Sequence, residues 1–425
     1  MEARQERGLQ IAALTPIKQS KLGYIVPSQS GNGTYVVSLD GSEPYCTCPD
    51  FEFRRVSCKH IYAVQYTIQR EANADGTVTE TVRETVTETK EVKVTYSQNW
   101  SVYNDAQTHE QEEFLRLLRA LCDTVQQPTQ TMGRPRLPLS DVIFGATYKV
   151  YSTMSGRRFM TDLREAQSKG LVDKAPSFTS TFRCLENAEL TPILKGLIEL
   201  SASPLKSVET DFAVDSSGFA TSVYSRWFDH KYGKMRSEAK WIKTHLMCGV
   251  KTHIVTSVDA MDWESPDNRQ LPGLVAKTAE NFTINEVSAD KAYSDRRNLH
   301  AVDNLGGTAY IPFKVSSTGM GGTRRKYDGL WHYMWAYYNF NKQAFLGHYH
   351  KRSNVETTFS MIKAKFGGAV RSKTPVAQVN EVLAKVLCHN LCVLIQSWRE
   401  LGIEADFTNP TCSQSQPPVP KLAWN

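Results

Sequence analysis

"DFAVDSSGFATSVYS", residues 211–225, begins a part of the chain with the texture of β-strands. Three apolar residues, Phe212, Ala213 and Val214, lead into Asp215, and Ser216, Ser217 and Gly218 follow, so the carboxylate stands where a strand ends or bulges. The stretch "THLMCGVKTHIVTSV", residues 244–258, has the same β-branched texture. Leu271, Leu274 and Val275 then fall at helical spacing within 268–280, and "NEVSAD", residues 285–290, is a short strand closed by Asp290. Ser294 is placed to cap the next helix, which ends at Gly306 and Gly307, and "TAYIPF", residues 308–313, is another strand. A last helix covers about 376–399. Strands and helices in this order predict an α/β domain with a mixed sheet flanked by helices.

The helix between these elements carries polar residues. In "YHKRSNVETTFSMIK", residues 349–363, a turn of about 100° per residue puts Arg352 near 300°, Glu356 near 340° and Lys363 near 320° from Tyr349. The four share one stripe, beside an apolar stripe of Val355, Phe359, Ile362 and Phe366. If the apolar side docks on the sheet, Glu356 lies along its rim with Asp215 and Asp290. Three such carboxylates can hold two hard divalent cations about 4 Å apart, the arrangement that suits phosphoryl transfer. Asp211, Asp259, Asp262 and Asp295 are alternatives, since an Asp commonly serves as a cap or turn residue.

From these residues the chain resembles a DDE transposase of bacterial insertion sequences, whose catalytic domain is ribonuclease H-like. "AVDSSG" with Asp215 looks like the family's first Asp strand, and "VSADKAYSD" with Asp290 like its second. Tyr349, Arg352, Glu356 and Lys363 match its Tyr-(2)-Arg-(3)-Glu-(6)-Lys signature at every position. The resemblance covers about 205–400. It implies Asp215, Asp290 and Glu356 as catalytic ligands of two Mg2+ or Mn2+ ions, with hydrolysis at transposon ends followed by strand transfer into target DNA. It also implies that Tyr349, Arg352 and Lys363 grip phosphates near the cleaved end, and that two ends are brought together by a homodimer. The segment between Lys314 and Tyr349 is too short for the large β-rich insertion of hairpin-forming members, and Trp331 and Trp335 are expected in the core. An inactive, transposase-derived DNA-binding protein and a stand-alone nuclease are the alternatives. Intact carboxylates disfavour the former.

Near the N-terminus, Cys46-x-Cys48, nine residues, and Cys58-x-His60 provide three thiolates and an imidazole, the soft ligand set of one structural zinc. Alternating residues around Asp40 and Gly41, then Ile61, Val64 and Ile68 at helical spacing, predict a ββα unit. The spacing is similar to a SWIM-type zinc finger, which implies a DNA- or protein-binding role. The expected organisation is this finger over 1–71, a Thr/Val/Glu-rich linker over 72–109, a small helical region for DNA binding over 110–204, the catalytic domain over 205–400 and a tail over 401–425. Gly133-Arg134-Pro135 has the core of an AT-hook, but a plain loop is the favoured reading.

Composition fits this picture. Hydrophobic content is 40% and no run reaches the roughly 18 apolar residues of a membrane span. The start, MEARQERGLQ, lacks the apolar core of a secretory signal, so a cytoplasmic, nucleoid-associated protein is expected. Of nine Cys, Cys122, Cys184, Cys248, Cys388 and Cys392 sit in apolar surroundings typical of reduced thiols. The net charge of +6 is concentrated: 351–373 holds six Lys or Arg against one acid, and 314–326 holds four against none. Both segments are expected to face DNA.

Overall fold

The computed structural model describes residues 3–29, 33–39, 43–72, 78–82, 99–130, 132–133, 135–221, 231, 241–262, 267–319 and 327–407. The turn at Asp40-Gly41, Arg134, most of the linker, the basic stretch 320–326 and the tail beyond 407 lie outside them. The chain divides into two compact units, Met1–Ser97 and Gln98–Asn425.

In the first unit, α1 (Ala3–Leu14) precedes an antiparallel sheet of β1 (Lys18–Ser20), β2 (Gly23–Pro27), β3 (Thr34–Ser38) and β4 (Tyr45–Cys46), in that order. Next come α2 (Pro49–Arg54), α3 (Lys59–Thr67) and a hairpin of β5 (Ile68–Ala72) and β6 (Val78–Val82). The expected two strands and a helix are present, with α1, β1 and β2 added. Of α1's residues, Ile11 is the apolar one that enters the core, so the helix has little sequence periodicity to announce it. Gly8 allows α1 to lie against α3, since a Cβ there would meet Tyr62 Cβ at 2.6 Å. Gly23 has φ +123°, and a Cβ would approach Val37 O to 2.5 Å, so the β1–β2 turn requires glycine.

The second unit begins with helices α4 (Trp100–Thr108), α5 (Glu110–Asp123), α6 (Leu139–Ser152), α7 (Gly156–Ser168), α8 (Phe178–Leu185) and α9 (Leu190–Ala202). A five-stranded sheet follows, of β7 (Asp211–Ala220), β8 (Trp241–Gly249), β9 (Val255–Asp262), β10 (Glu286–Ala289) and β11 (Thr308–Tyr310), ordered β11-β10-β7-β8-β9. β7, β8 and β9 pair antiparallel, while β10 joins β7 and β11 in parallel. The parallel partners are reached through α10 (Leu271–Ala279) and α11 (Arg296–Asp303). β7 is central, and its consecutive Phe212, Ala213 and Val214 are fully buried, which requires cover on both faces. α12 (Gly329–Phe340), α13 (Lys342–Tyr349), α14 (Ser353–Phe366) and α15 (Pro375–Leu401) complete the unit. The helices from α5 to α9 share one hydrophobic core with the sheet and α15.

α15 is long and apolar enough to cross a membrane by length and composition, yet 83% of its most apolar window is buried in this fold. Its buried polar residues have partners inside the protein. Asn390 accepts from Val255 N (2.9 Å) and donates to Val255 O (2.7 Å), and Asn380 donates to Leu185 O (2.8 Å). The β8–β9 turn is stapled by the fully buried Glu209, which accepts from Lys251 N (3.2 Å) and the Thr252 hydroxyl (2.7 Å). A Cβ on Gly249 would lie 2.3 Å from Glu209 Cδ. Gly249→Ala is therefore expected to destabilise this unit by about 1–3 kcal/mol, read as a lower melting temperature by tryptophan fluorescence. An unchanged melt would show that the staple moves aside freely.

Candidate active site and metal centre

Asp215 lies within β7 rather than at its end. The antiparallel ladder with β8 continues to the Ala220–Trp241 pair, whereas the parallel ladder with β10 stops at Val214–Ala289. β10 has four residues, so Asp290 leaves the sheet directly beside Asp215 and opens a rim there. Asp290 caps a 3-10 turn over Lys291–Tyr293 by accepting from Lys291 N (2.7 Å). Asp215 accepts from Ser216 N (2.8 Å).

The helix with the polar stripe is broken. α13 ends at Tyr349, His350–Arg352 winds as a 3-10 turn, and α14 begins at Ser353, so one wheel does not describe 349–363. The four residues still gather around Asp215. Arg352 donates to Asp215 (2.8 Å) and to Glu356 (2.7 Å), its guanidinium carbon lies 5.9 Å from the Tyr349 ring, and Lys363 donates to the Ser217 hydroxyl (2.6 Å). Val355, Phe359, Ile362 and Phe366 are buried on the other side, as their spacing predicts.

Burial pushes Asp215 above the usual carboxylate range, and the like charges of Asp290 and Glu356 add to this against the Ser216 amide and Arg352. Burial also lowers the Lys363 ammonium. A desolvated carboxylate with two more near it offers hard oxygen donors that fit a divalent cation, whose charge would relieve that repulsion. They do not all lie within 4.8 Å of one another, and the Arg352 fork stands between Asp215 and Glu356.

The alternative carboxylates have other work. Asp295, rather than Ser294, caps α11 through Arg297 N (2.9 Å). Asp211 pairs with Lys351 (2.7 Å) and Asp259 with Lys195 (2.6 Å), while the Asp262 side chain lies outside the described residues. Sequence reading missed Asp267, which accepts from Ser216 Oγ (3.2 Å) and pairs with Lys243 (2.6 Å). It also missed the fully buried His245, 3.2 Å from the Tyr293 hydroxyl. Tyr293 follows Asp290 by three residues, a spacing that signals the link only once the 3-10 turn is known.

The basic segment 351–373 is largely engaged internally. Lys351 also pairs with Glu286 (2.7 Å), Arg352 with two site carboxylates, and Lys365 with Glu110. Trp331 donates to Thr318 O (2.9 Å) and Trp335 to Ser317 O (3.0 Å), so both indoles pin α12 to the preceding loop.

In the first unit, Cys46 ends β4, Cys48 caps α2, and Cys58 and His60 flank the start of α3. Their ligand atoms lie within 4.8 Å of one another, the one such group of three or more among the described residues. His60 Nδ1 is 3.9 Å from the sulfurs of Cys46 and Cys58, near the roughly 3.5 Å edge of a zinc tetrahedron. A hydrogen bond from Cys46 holds the Cys58 thiol down at about 3, and the same contact pushes Cys46 well up. The thiols compete for negative charge that a dication lets all of them carry, so the quartet fits zinc.

Residues 206–391 match the family described as the transposase DDE domain, and residues 35–69 match the SWIM zinc finger. None of the curated proteins matches the chain. A solved structure, the piggyBac transposase synaptic complex with hairpin DNA, is similar at 10% identity and a TM-score of 0.33, covering 69% of this chain and 74% of that one. The fold is a mixed α/β unit with a carboxylate-lined rim, in a chain that also holds a metal-type Cys/His cluster. The chain carries a transposase DDE domain preceded by a SWIM zinc finger.

Proposed function

We propose that this protein is a DNA transposase that cleaves at transposon ends and joins them to target DNA. The observation that carries the reading is the placement of Asp215 and Asp290 beside each other on adjacent strands, with Arg352 joining Asp215 to Glu356 of α14. Two Mg2+ or Mn2+ ions held by these carboxylates would supply an activated water or 3′-hydroxyl and stabilise the leaving oxygen. The chain's own cations position the DNA. Arg352 offers a planar fork now satisfied by carboxylates, and a DNA phosphate is the other partner that matches it in shape and charge. Lys363 and the Tyr349 hydroxyl flank it as further donors. Zinc on Cys46, Cys48, Cys58 and His60 fixes the N-terminal unit. A homodimer acting on two ends, in the cytoplasm at the nucleoid, completes the reading.

The test is incubation of purified protein with DNA carrying the element's terminal repeats and Mg2+ or Mn2+. Nicked ends and joined products support the proposal. Cleavage without joining would make the protein a nuclease, and no cleavage would remove the enzymatic reading. Arg352→Ala and Lys363→Ala are expected to keep some activity while weakening end binding roughly tenfold each, the loss of one charge-assisted phosphate contact. A gel-shift titration on end DNA reads this, and unchanged affinity in both variants would assign the stripe to solvent.

A further inference from the structure

A second cationic site lies beyond the end of the strand that carries Asp215. Ala220 closes β7 by donating to Gly368 O (3.0 Å) and accepting from Val370 N (2.9 Å), so the segment after α14 is fastened to the strand end. Arg371 and Lys373 of that segment line a cavity of about 380 Å3, together with Lys149 of α6, Gly156 at the start of α7 and Phe182 of α8. Lys149 is the decisive residue. It is only 6% exposed, its ammonium lies 5.8 Å from the Phe182 ring, and among the described residues that ammonium has no hydrogen bond or ion pair. Burial pulls it below the ordinary lysine range, Glu381 opposes this, and Arg371 adds to it. The stem is buried while the ammonium opens to the cavity, so a ligand there would meet a cation that has no anion of its own.

The neighbouring acids do not fill that role. Glu381 is taken up by the amides of Arg371 (3.0 Å) and Ser372 (2.8 Å) and by Lys385 (4.0 Å), and Glu186 is exposed at the cavity's edge. Arg371 and Lys373 form no ion pair among the described residues. The start of α7 adds to the positive field. Ser155 makes no side-chain cap there, and Arg157 and Arg158 occupy the first turn, where the helix dipole favours anions.

We propose that this cavity holds a backbone phosphate of the DNA substrate, away from the phosphate that reacts. The inference rests on the transposase reading and adds a contact to it. Five residue steps of β7 lead from Asp215 to Ala220, about 17 Å of strand. Phosphates of one duplex strand advance about 3.4 Å per step, so DNA cleaved at Asp215 and running along β7 would reach the strand end about five steps from the cut, with the cavity beyond it.

The test is binding of the full-length protein to a fluorescein-labelled random-sequence duplex over a range of salt, without Mg2+ or Mn2+. Lys149→Met keeps the stem's packing and removes the charge. It should bind roughly tenfold more weakly near about 0.1 M salt and lower the log-log salt slope by about 0.9, one phosphate contact. Arg371→Ala combined with Lys373→Ala should lower the slope further. Gly156→Ala leaves the charge unchanged, but its Cβ would meet Phe182 Cζ at 2.5 Å and displace the ring, so it should weaken binding by blocking the cavity. Lys169→Met, which removes an exposed partner of Glu165 (2.7 Å), should leave the slope unchanged. A wild-type slope in folded Lys149→Met overturns the proposal. So does loss of calorimetric inorganic phosphate binding in that variant with the DNA slope kept, which would assign the cavity to a free anion. Wild-type protein that binds no duplex would instead sink the transposase reading.

Discussion

Asp215→Ala, Asp290→Ala and Glu356→Ala are each expected to lower metal-dependent cleavage of element-end DNA about a thousandfold or more, since losing about 4 kcal/mol of transition-state stabilisation has that effect. End binding should persist in all three, because each change removes negative charge. Asp211→Ala and Asp295→Ala are the controls. Asp211 holds Lys351 and Asp295 caps α11, so their loss touches stability rather than chemistry. A folded control variant that lost cleavage while Asp215→Ala kept it would overturn the assignment. Asp215→Asn adds a readout independent of activity. Burial and like charges raise the Asp215 pKa above its unfolded value. The stability of its protonated form is therefore present below the ordinary carboxylate pKa and lost as pH rises through the folded one. At neutral pH the ionised group opposes folding, so Asp215→Asn should melt at or above wild type, with the advantage gone at acidic pH. Mg2+ should raise the melting temperature of wild type and not of Asp215→Asn. A variant that melts well below wild type at neutral pH would show that the Arg352 pair outweighs the crowding.

The sheet was legible because its strands carry apolar and β-branched runs, helical spacing separates β9, β10 and β11, and their order of appearance restricts the topology. Asp215 and Asp290 stood out because each follows an apolar run, and Glu356 because it shares a polar stripe with Tyr349, Arg352 and Lys363. What surrounds them did not. The 3-10 turn at His350–Arg352 has no proline or glycine to mark it, and it follows from how α13 and α14 meet the sheet. Asp267 reaches Ser216 across 51 residues, and Lys149 reaches the segment of Arg371 across more than two hundred, so neither contact leaves a periodic signal. Charge counting overlooked the carboxylate partners for a related reason. The basic run 351–373 looked free because its carboxylate partners, Asp211, Asp215, Glu286 and Glu110, lie far away in sequence. Short-range pattern reports which residues are buried or cationic, while the fold decides which cations are already neutralised.

Zinc removal is expected to unfold the N-terminal unit. Cys46, Cys48 and Cys58 are no more than 1% exposed and make up three of the twelve residues of that unit's hydrophobic core. A core so small supports a fold weakly by itself, whereas a structural zinc contributes about 10 kcal/mol or more in apparent terms. Metal-replete protein should hold about one zinc per chain, and Cys58→Ser should lose it. Limited proteolysis of the full-length variant, or of wild type under a strong chelator, should then cut within residues 1–97 and spare the rest. Tryptophan fluorescence supplies the contrast, because all eight Trp lie at position 100 or beyond. Its melt should be unchanged when zinc leaves. Cys122→Ser, at a thiol buried in the second unit, should keep the zinc and the N-terminal protection. Metal-replete protein without zinc would refute the assignment of the quartet. A protease-resistant N-terminal unit in zinc-free Cys58→Ser would show instead that the sheet and α3 hold together by packing alone.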